Sequence, residues 1–123
     1  MDRNPQAVLE DYNNKGIDKS TATKLLTSII ENYDEEKFRL DAIDILHTLK
    51  IKTITLYEFF ENLLLSDSSE IIRNAAAKYI SANFLEISLP VFQWVILHET
   101  SYYCSITVIN SLVKINTIES KLI

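Results

Sequence analysis

A single glycine and two prolines in 123 residues leave this chain few ways to fold. Tight turns between strands need residues that accept a positive φ, most often Asn-Gly or Asp-Gly, and neither dipeptide occurs. Glycine-rich phosphate loops, collagen-like repeats and proline-rich linkers are excluded on the same ground. What remains is a succession of helices joined by short polar turns. With 47 % hydrophobic residues the chain can bury a real core without disulfide or metal staples, and its length suits one domain, 1–123.

The charge balance narrows the partners. Twelve Lys and Arg stand against seventeen Asp and Glu, a net charge of −5. A nucleic-acid binder carries a basic stripe, so DNA and RNA are disfavoured. The one cysteine, Cys104, excludes an internal disulfide and suits a reducing, cytoplasmic location. The N-terminus lacks a signal-peptide apolar core, and the apolar runs are far short of the ~20 residues that span a bilayer. No membrane partner is expected.

Apolar residues at i, i+3, i+4 and i+7 mark the helices. Pro5 to Asn14 opens with a proline suited to a first turn and is followed by Gly16, suited to the position after a helix end. Lys19–Asn32 carries Ala22, Leu25, Leu26, Ile29 and Ile30 on one face. Glu35–Leu49 follows, then a helix capped by Thr55 with Glu58, then one capped by Asp67 with Glu70 and running to Ala82. Pro90–His98 is the next. The last full helix reaches Ile115, although its β-branched Thr107–Ile109 admits a strand. Asn116 with Glu119 has the spacing of one more cap, so 117–123 reads as the start of a further helix, and the chain as a piece of a longer protein.

Superposing these helices exposes a period. Arg39 maps onto Arg73 at an offset of 34, with Phe38 on Ile72, Ala42 on Ala76 and Leu46 on Ile80; Asp34 maps onto Asp67 at 33. A third copy at 32 places Ile72 on Cys104, Ala76 on Val108 and Ile80 on Leu112, with Glu99 in place of the turn Asp and Ser105 where the Arg would be. The pieces Asp34-Glu35-Glu36-Lys37-Phe38-Arg39-Leu40-Asp41-Ala42 and Asp67-Ser68-Ser69-Glu70-Ile71-Ile72-Arg73-Asn74-Ala75-Ala76 resemble the HEAT repeat, which has an Asp in the inter-helix turn, an aliphatic-Arg pair and then an Ala. The whole is similar to N-terminal HEAT modules of larger prokaryotic repeat proteins. The resemblance implies an all-α fold, an α-α superhelix of about three helical hairpins with an N-terminal capping helix. Its parts would be a cap (1–17), repeats (18–52, 53–86 and 87–116) and the start of a further helix. It makes Asp34, Arg39, Asp67 and Arg73 a structural ladder, the Asp capping the second helix and the Arg bonding its own or the next turn.

Chemistry is sparse. His47 and His98 form no metal-ligand spacing with each other or with Cys104, and each reads as a surface or helix-end histidine. Cys104 falls on the repeat's core position and reads as a small hydrophobe rather than a nucleophile. No serine elbow or phosphate loop occurs. The pairs Asp41/Asp44 and Glu58/Glu61 read as solvated helix faces before they read as acid-base dyads. Trp94 reads as core, and Tyr103 as a contact residue. The expectation is a chain that is not an enzyme and needs no cofactor or metal.

In the resembled family the second helix of each repeat lines the binding surface. Carried over residue by residue, this gives Lys37, Asp41, Asp44 and Thr48, then Ile71, Asn74 and Lys78, then Tyr103, Thr107, Asn110 and Lys114. A strip of mixed sign suits a protein or peptide partner. The resemblance also implies an alternative, a HEAT-like lyase or lyase-chaperone subunit, and Leu122 and Ile123 at an unfinished C-terminal face suggest another, a structural module that self-associates through that face.

Overall fold

The computed structural model describes residues 4–121, with side-chain surroundings for residues 4–118. Every regular element among the described residues is helical: α1 (Pro5–Asn13), α2 (Lys19–Asn32), α3 (Glu36–Thr48), α4 (Ile54–Ser66), α5 (Glu70–Asn83), a 3-10 turn (Leu85–Ile87), α6 (Leu89–His98) and α7 (Tyr102–Lys121). The contacts divide the chain after Ile51 into two compact units.

In the first unit α1 packs on α2 and α3, and α2 pairs with α3. Side chains capture the free N–H groups at two of its helix starts: Asn4 Oδ1 accepts from the Ala7 N–H at 2.8 Å, and Asp18 Oδ1 from the Thr21 N–H at 2.8 Å. That bond holds the Asp18 carboxyl below its ordinary range. Ala22, Leu26, Ile29 and Ile30 of α2 and Ala42, Ile45 and Leu46 of α3 are buried, the faces that the i, i+3, i+4 spacing marks.

The helix ends of this unit depart from expectation. After α1 it is Lys15, not Gly16, that takes the left-handed conformation, at φ 62°. Lys15 N–H donates to the Tyr12 carbonyl at 3.0 Å and Gly16 N–H to that of Asp11 at 2.8 Å, the paired bonds of a Schellman cap. The same device closes α3, where Lys50 has φ 57°, its N–H reaches the His47 carbonyl, and Ile51 is buried. A side chain bearing a Cβ is strained there by about 1 kcal/mol, which the capping bonds and the burial of Ile51 offset.

In the second unit α4 pairs with α5 and α6 with α7. The hairpins then stack like on like, α5 on α7 and α4 on α6. Its core is aromatic where α4 meets α5: Phe60 stacks on Tyr79 with centroids 4.0 Å apart and planes 14° apart, and Phe84 packs edge-on to Tyr57 at 5.3 Å. Toward α6 and α7 it continues through Phe92, Val95, Cys104 and Val108.

Three boundaries differ from the sequence reading. The cap of α4 is Thr53, whose hydroxyl accepts from the Leu56 N–H, rather than Thr55. The cap of α5 is Ser69 rather than Asp67, because the Asp67 carboxylate is engaged by the Ser69 N–H at 3.0 Å. And α7 runs unbroken to Lys121, so Asn116 starts no new helix and Thr107–Ile109 is helical. No Gly or Pro interrupts it, and the inward set Cys104, Val108, Ser111 and Ile115 follows the helical period, which outweighs β-propensity. Leu122 and Ile123, the end of the expected further helix, lie outside the described residues.

Phe60 is fully buried against Tyr79 and Phe59. Phe60→Ala should therefore lower the unfolding free energy by about 3–5 kcal/mol in urea titrations followed by circular dichroism.

Candidate partner-binding surface

The second unit is tied together at its turns. Arg73 of α5 grips Glu99, in the turn before α7, through two parallel bonds, Nε to Oε1 at 2.9 Å and Nη2 to Oε2 at 2.9 Å. Its Nη1 donates to the Asp67 carbonyl at 2.9 Å, so one guanidinium spans its own turn and the next. The pair is largely removed from water, with side-chain exposure of 17 % for Arg73 and 4 % for Glu99. Glu99 Oε2 also accepts from the Ser101 N–H at 2.8 Å, and the Ser101 hydroxyl accepts from the Cys104 N–H at the start of α7. Asp67 and Glu99 thus do the same local work, each holding the N–H of a serine two residues on.

Burial pushes the Glu99 carboxyl up, but the bonds from Arg73 and Ser101 outweigh it and leave it below its ordinary value; the bonds to Glu99 raise the Arg73 guanidinium. Cys104 lies behind the pair. Burial first, and then the Glu99 charge, push its thiol up to about 12, so it is a protonated core residue at neutral pH.

With the turns fixed, α5 and α7 run side by side. The Thr107 hydroxyl donates to Asn74 Oδ1 at 2.5 Å, and the Ser111 hydroxyl to Ser81 Oγ at 2.9 Å. These short side chains let the helices approach closely, and an open groove of about 290 Å³ runs along the seam, lined by Lys78, Ser81, Ala82, Thr107, Asn110, Ser111 and Lys114. Lys78, Asn110 and Lys114 are exposed. Beside the same strip stand Ile71, 48 % exposed, and Tyr103, 68 % exposed.

The strip residues of the two helices therefore share one surface of this unit. The sequence reading missed Ser81 and Ser111. Their signal was a row of short side chains, Asn74, Ala77 and Ser81, at a helical spacing of three and four. The other strip residues belong to α3 in the first unit. There Lys37 pairs with Asp41 at 3.2 Å, Asp44 is exposed, and the Thr48 hydroxyl donates to the Asp44 carbonyl at 3.0 Å. Of the ladder residues, Arg39 Nε donates to the Ile30 carbonyl at 2.6 Å. Asp34 is exposed and does not cap α3, which follows Glu35 without a side-chain cap.

Trp94 is not core. Val91, Phe92 and Val95 fill the inward face of α6, and Trp94 lies on its flank, 49 % exposed. Its ring stacks on His98 at 3.8 Å, and His98 Nδ1 bonds the Trp94 carbonyl at 2.7 Å at the end of α6. Among the described residues no three His, Cys, Asp or Glu side chains could hold a metal ion together, and no helix is long and apolar enough to cross a membrane.

No protein-family model matches the chain, and no match was found among curated proteins or solved structures.

The lowered Glu99 carboxyl carries a pH signature. A depressed acid contributes stability that is complete above its unfolded value, near 4.5, and is lost as pH falls through its folded value. Urea unfolding from pH 7 to pH 3 should show this acid loss in the native chain, and a shallower loss in Glu99→Gln.

Proposed function

We propose that this chain is a non-catalytic, cytoplasmic interaction module of the HEAT-like helical-hairpin type, and that it binds a protein or peptide along the surface shared by α5 and α7. The observation that carries the reading is the groove itself. Two exposed ammonium groups, Lys78 and Lys114, flank an opening lined with hydroxyl and amide groups, and an aromatic and an aliphatic side chain stand exposed on the same strip. Such a surface suits an extended or helical segment that sets a carboxylate between the lysines and an apolar side chain near Ile71 and Tyr103. The groove is lined by ammonium, hydroxyl and amide groups. They suit recognition better than bond making.

The groove is also shallow and open, a shape that fits a peptide better than a small molecule. Its two lysines are too few for a phosphate backbone, in a chain of net charge −5.

Selection from a displayed peptide library should enrich sequences with Asp or Glu next to an apolar residue. Lys78→Glu with Lys114→Glu should weaken the enriched peptides by at least about tenfold while leaving helicity unchanged. Enrichment without acidic residues, or binding that the double variant does not alter, would overturn the reading.

A further inference from the structure

The side of α7 that points away from its buried face carries a second surface. Its buried residues Cys104, Val108, Ser111 and Ile115 lie on one face, and Tyr102, Ile106, Ile109 and Val113 on the opposite one. These four are exposed by 72, 37, 46 and 60 %. Trp94 and Leu97 of α6 are exposed as well, Leu97 by 79 %. Among the described residues all exposed large hydrophobic side chains lie in the second unit, and most of them are on α6 and α7. Scattered apolar residues on a surface need no explanation, but a continuous stripe does.

Charge is missing from the same region. Between Glu86 and Lys114 the only Asp, Glu, Lys or Arg is Glu99, and Glu99 is buried against Arg73. Two copies of a chain of net charge −5 repel each other. They can approach closely where neither presents a charge, and this face meets that condition.

The register shows that the face is in a docking position. At the offset of 32 that maps Ile72 on Cys104, the stripe on α7 maps onto Glu70, Asn74, Ala77 and Ser81 of α5. Those are the positions against which α7 packs, through the bonds of Ser101 to Glu70, Thr107 to Asn74 and Ser111 to Ser81. On α5 they are short or polar and suit a close neighbour with hydroxyl groups. On α7 they are bulky and apolar, and a hairpin bearing such hydroxyls would leave them unsatisfied. The stripe needs an apolar stripe in return.

We propose that the occupant is a second copy of this chain, with the two α7 helices paired antiparallel about a two-fold axis. The spacing of 4, 3 and 4 residues is that of a coiled-coil seam. It is also symmetric about its centre, so a two-fold axis between Thr107 and Val108 sets Ile106 opposite Ile109 of the second copy and Tyr102 opposite its Val113. Each pair joins similar or complementary volumes, and the contact closes on itself as an isologous interface rather than growing into a filament.

Sedimentation equilibrium of the 123-residue chain should give a concentration-dependent mass rising from 14.2 kDa to twice that value. Ile106→Glu with Ile109→Glu should weaken the association by at least about 100-fold with unchanged helical circular dichroism, because both side chains are already exposed in one copy. Cysteine cross-linking tests the pairing without burying a charge. A mixture of Ile106→Cys and Ile109→Cys chains should form disulfide dimers about tenfold faster than either chain alone, while the buried Cys104 stays out of reach. A 14.2 kDa species at every concentration up to about 100 μM, a dimer that survives the double Glu variant, or equal cross-linking in mixed and separate chains would overturn the proposal.

Discussion

One guanidinium holds the second unit in register. Arg73 forms two bonds with the Glu99 carboxylate and a third with the Asp67 carbonyl, and Glu99 passes the constraint on by holding the Ser101 N–H at the start of α7. An isolated buried charge would cost several kcal/mol, and this pair is tolerable because its donors and acceptors are matched. The wider structure follows that rule, since no buried side-chain nitrogen or oxygen among the described residues lacks a hydrogen-bond partner. Apolar packing supplies most of the stabilisation, but it is non-directional and tolerates sliding. The planar, bidentate pair does not, and it sets where α7 begins relative to α5.

From that fixed start the three faces of α7 acquire separate tasks. One face is buried on Val108 and Cys104. The flank toward α5 is polar and forms the groove with Lys78 and Lys114. The face opposite the core is apolar and uncharged. A rotation of α7 by one residue, about 100°, would move the polar flank off the seam and pull the apolar stripe toward it. Partner recognition and self-association, as proposed, thus depend on the same rotational setting and use different sides of one helix.

Much of this was legible in the sequence because it rests on periodicity. The bounds of α2 and most inward residues of α2, α3 and α5 follow from apolar spacing and from the scarcity of helix breakers, whereas on α7 Ser111 takes the inward place that the spacing gave to Leu112. At Arg73 the structure supplies bonds both to its own turn and to the next. Three features were not readable. Chain ends of helices depend on which of several short polar residues wins a backbone N–H, and at α5 Ser69 wins because Asp67 is already engaged. The left-handed positions fell to Lys15 and Lys50, where a glycine would be unstrained, because the caps around them compensate. Trp94 misled because hydrophobic character alone does not show which side of a short apolar helix faces inward. Glu99 looked like a degenerate substitute for Asp, yet its extra methylene still delivers a carboxylate to both Arg73 and Ser101.

A double-mutant cycle on Arg73 and Glu99 addresses the central claim most directly. Unfolding free energies would be measured at pH 7 for the native chain, Arg73→Met, Glu99→Gln and the double variant. If the pair is the lock that aligns the two hairpins, each single change strands a buried charge and the double change leaves none, giving a coupling of about 1.5–3 kcal/mol. Additive effects within about 0.5 kcal/mol would contradict the account, and would mean that apolar packing alone aligns α5 with α7.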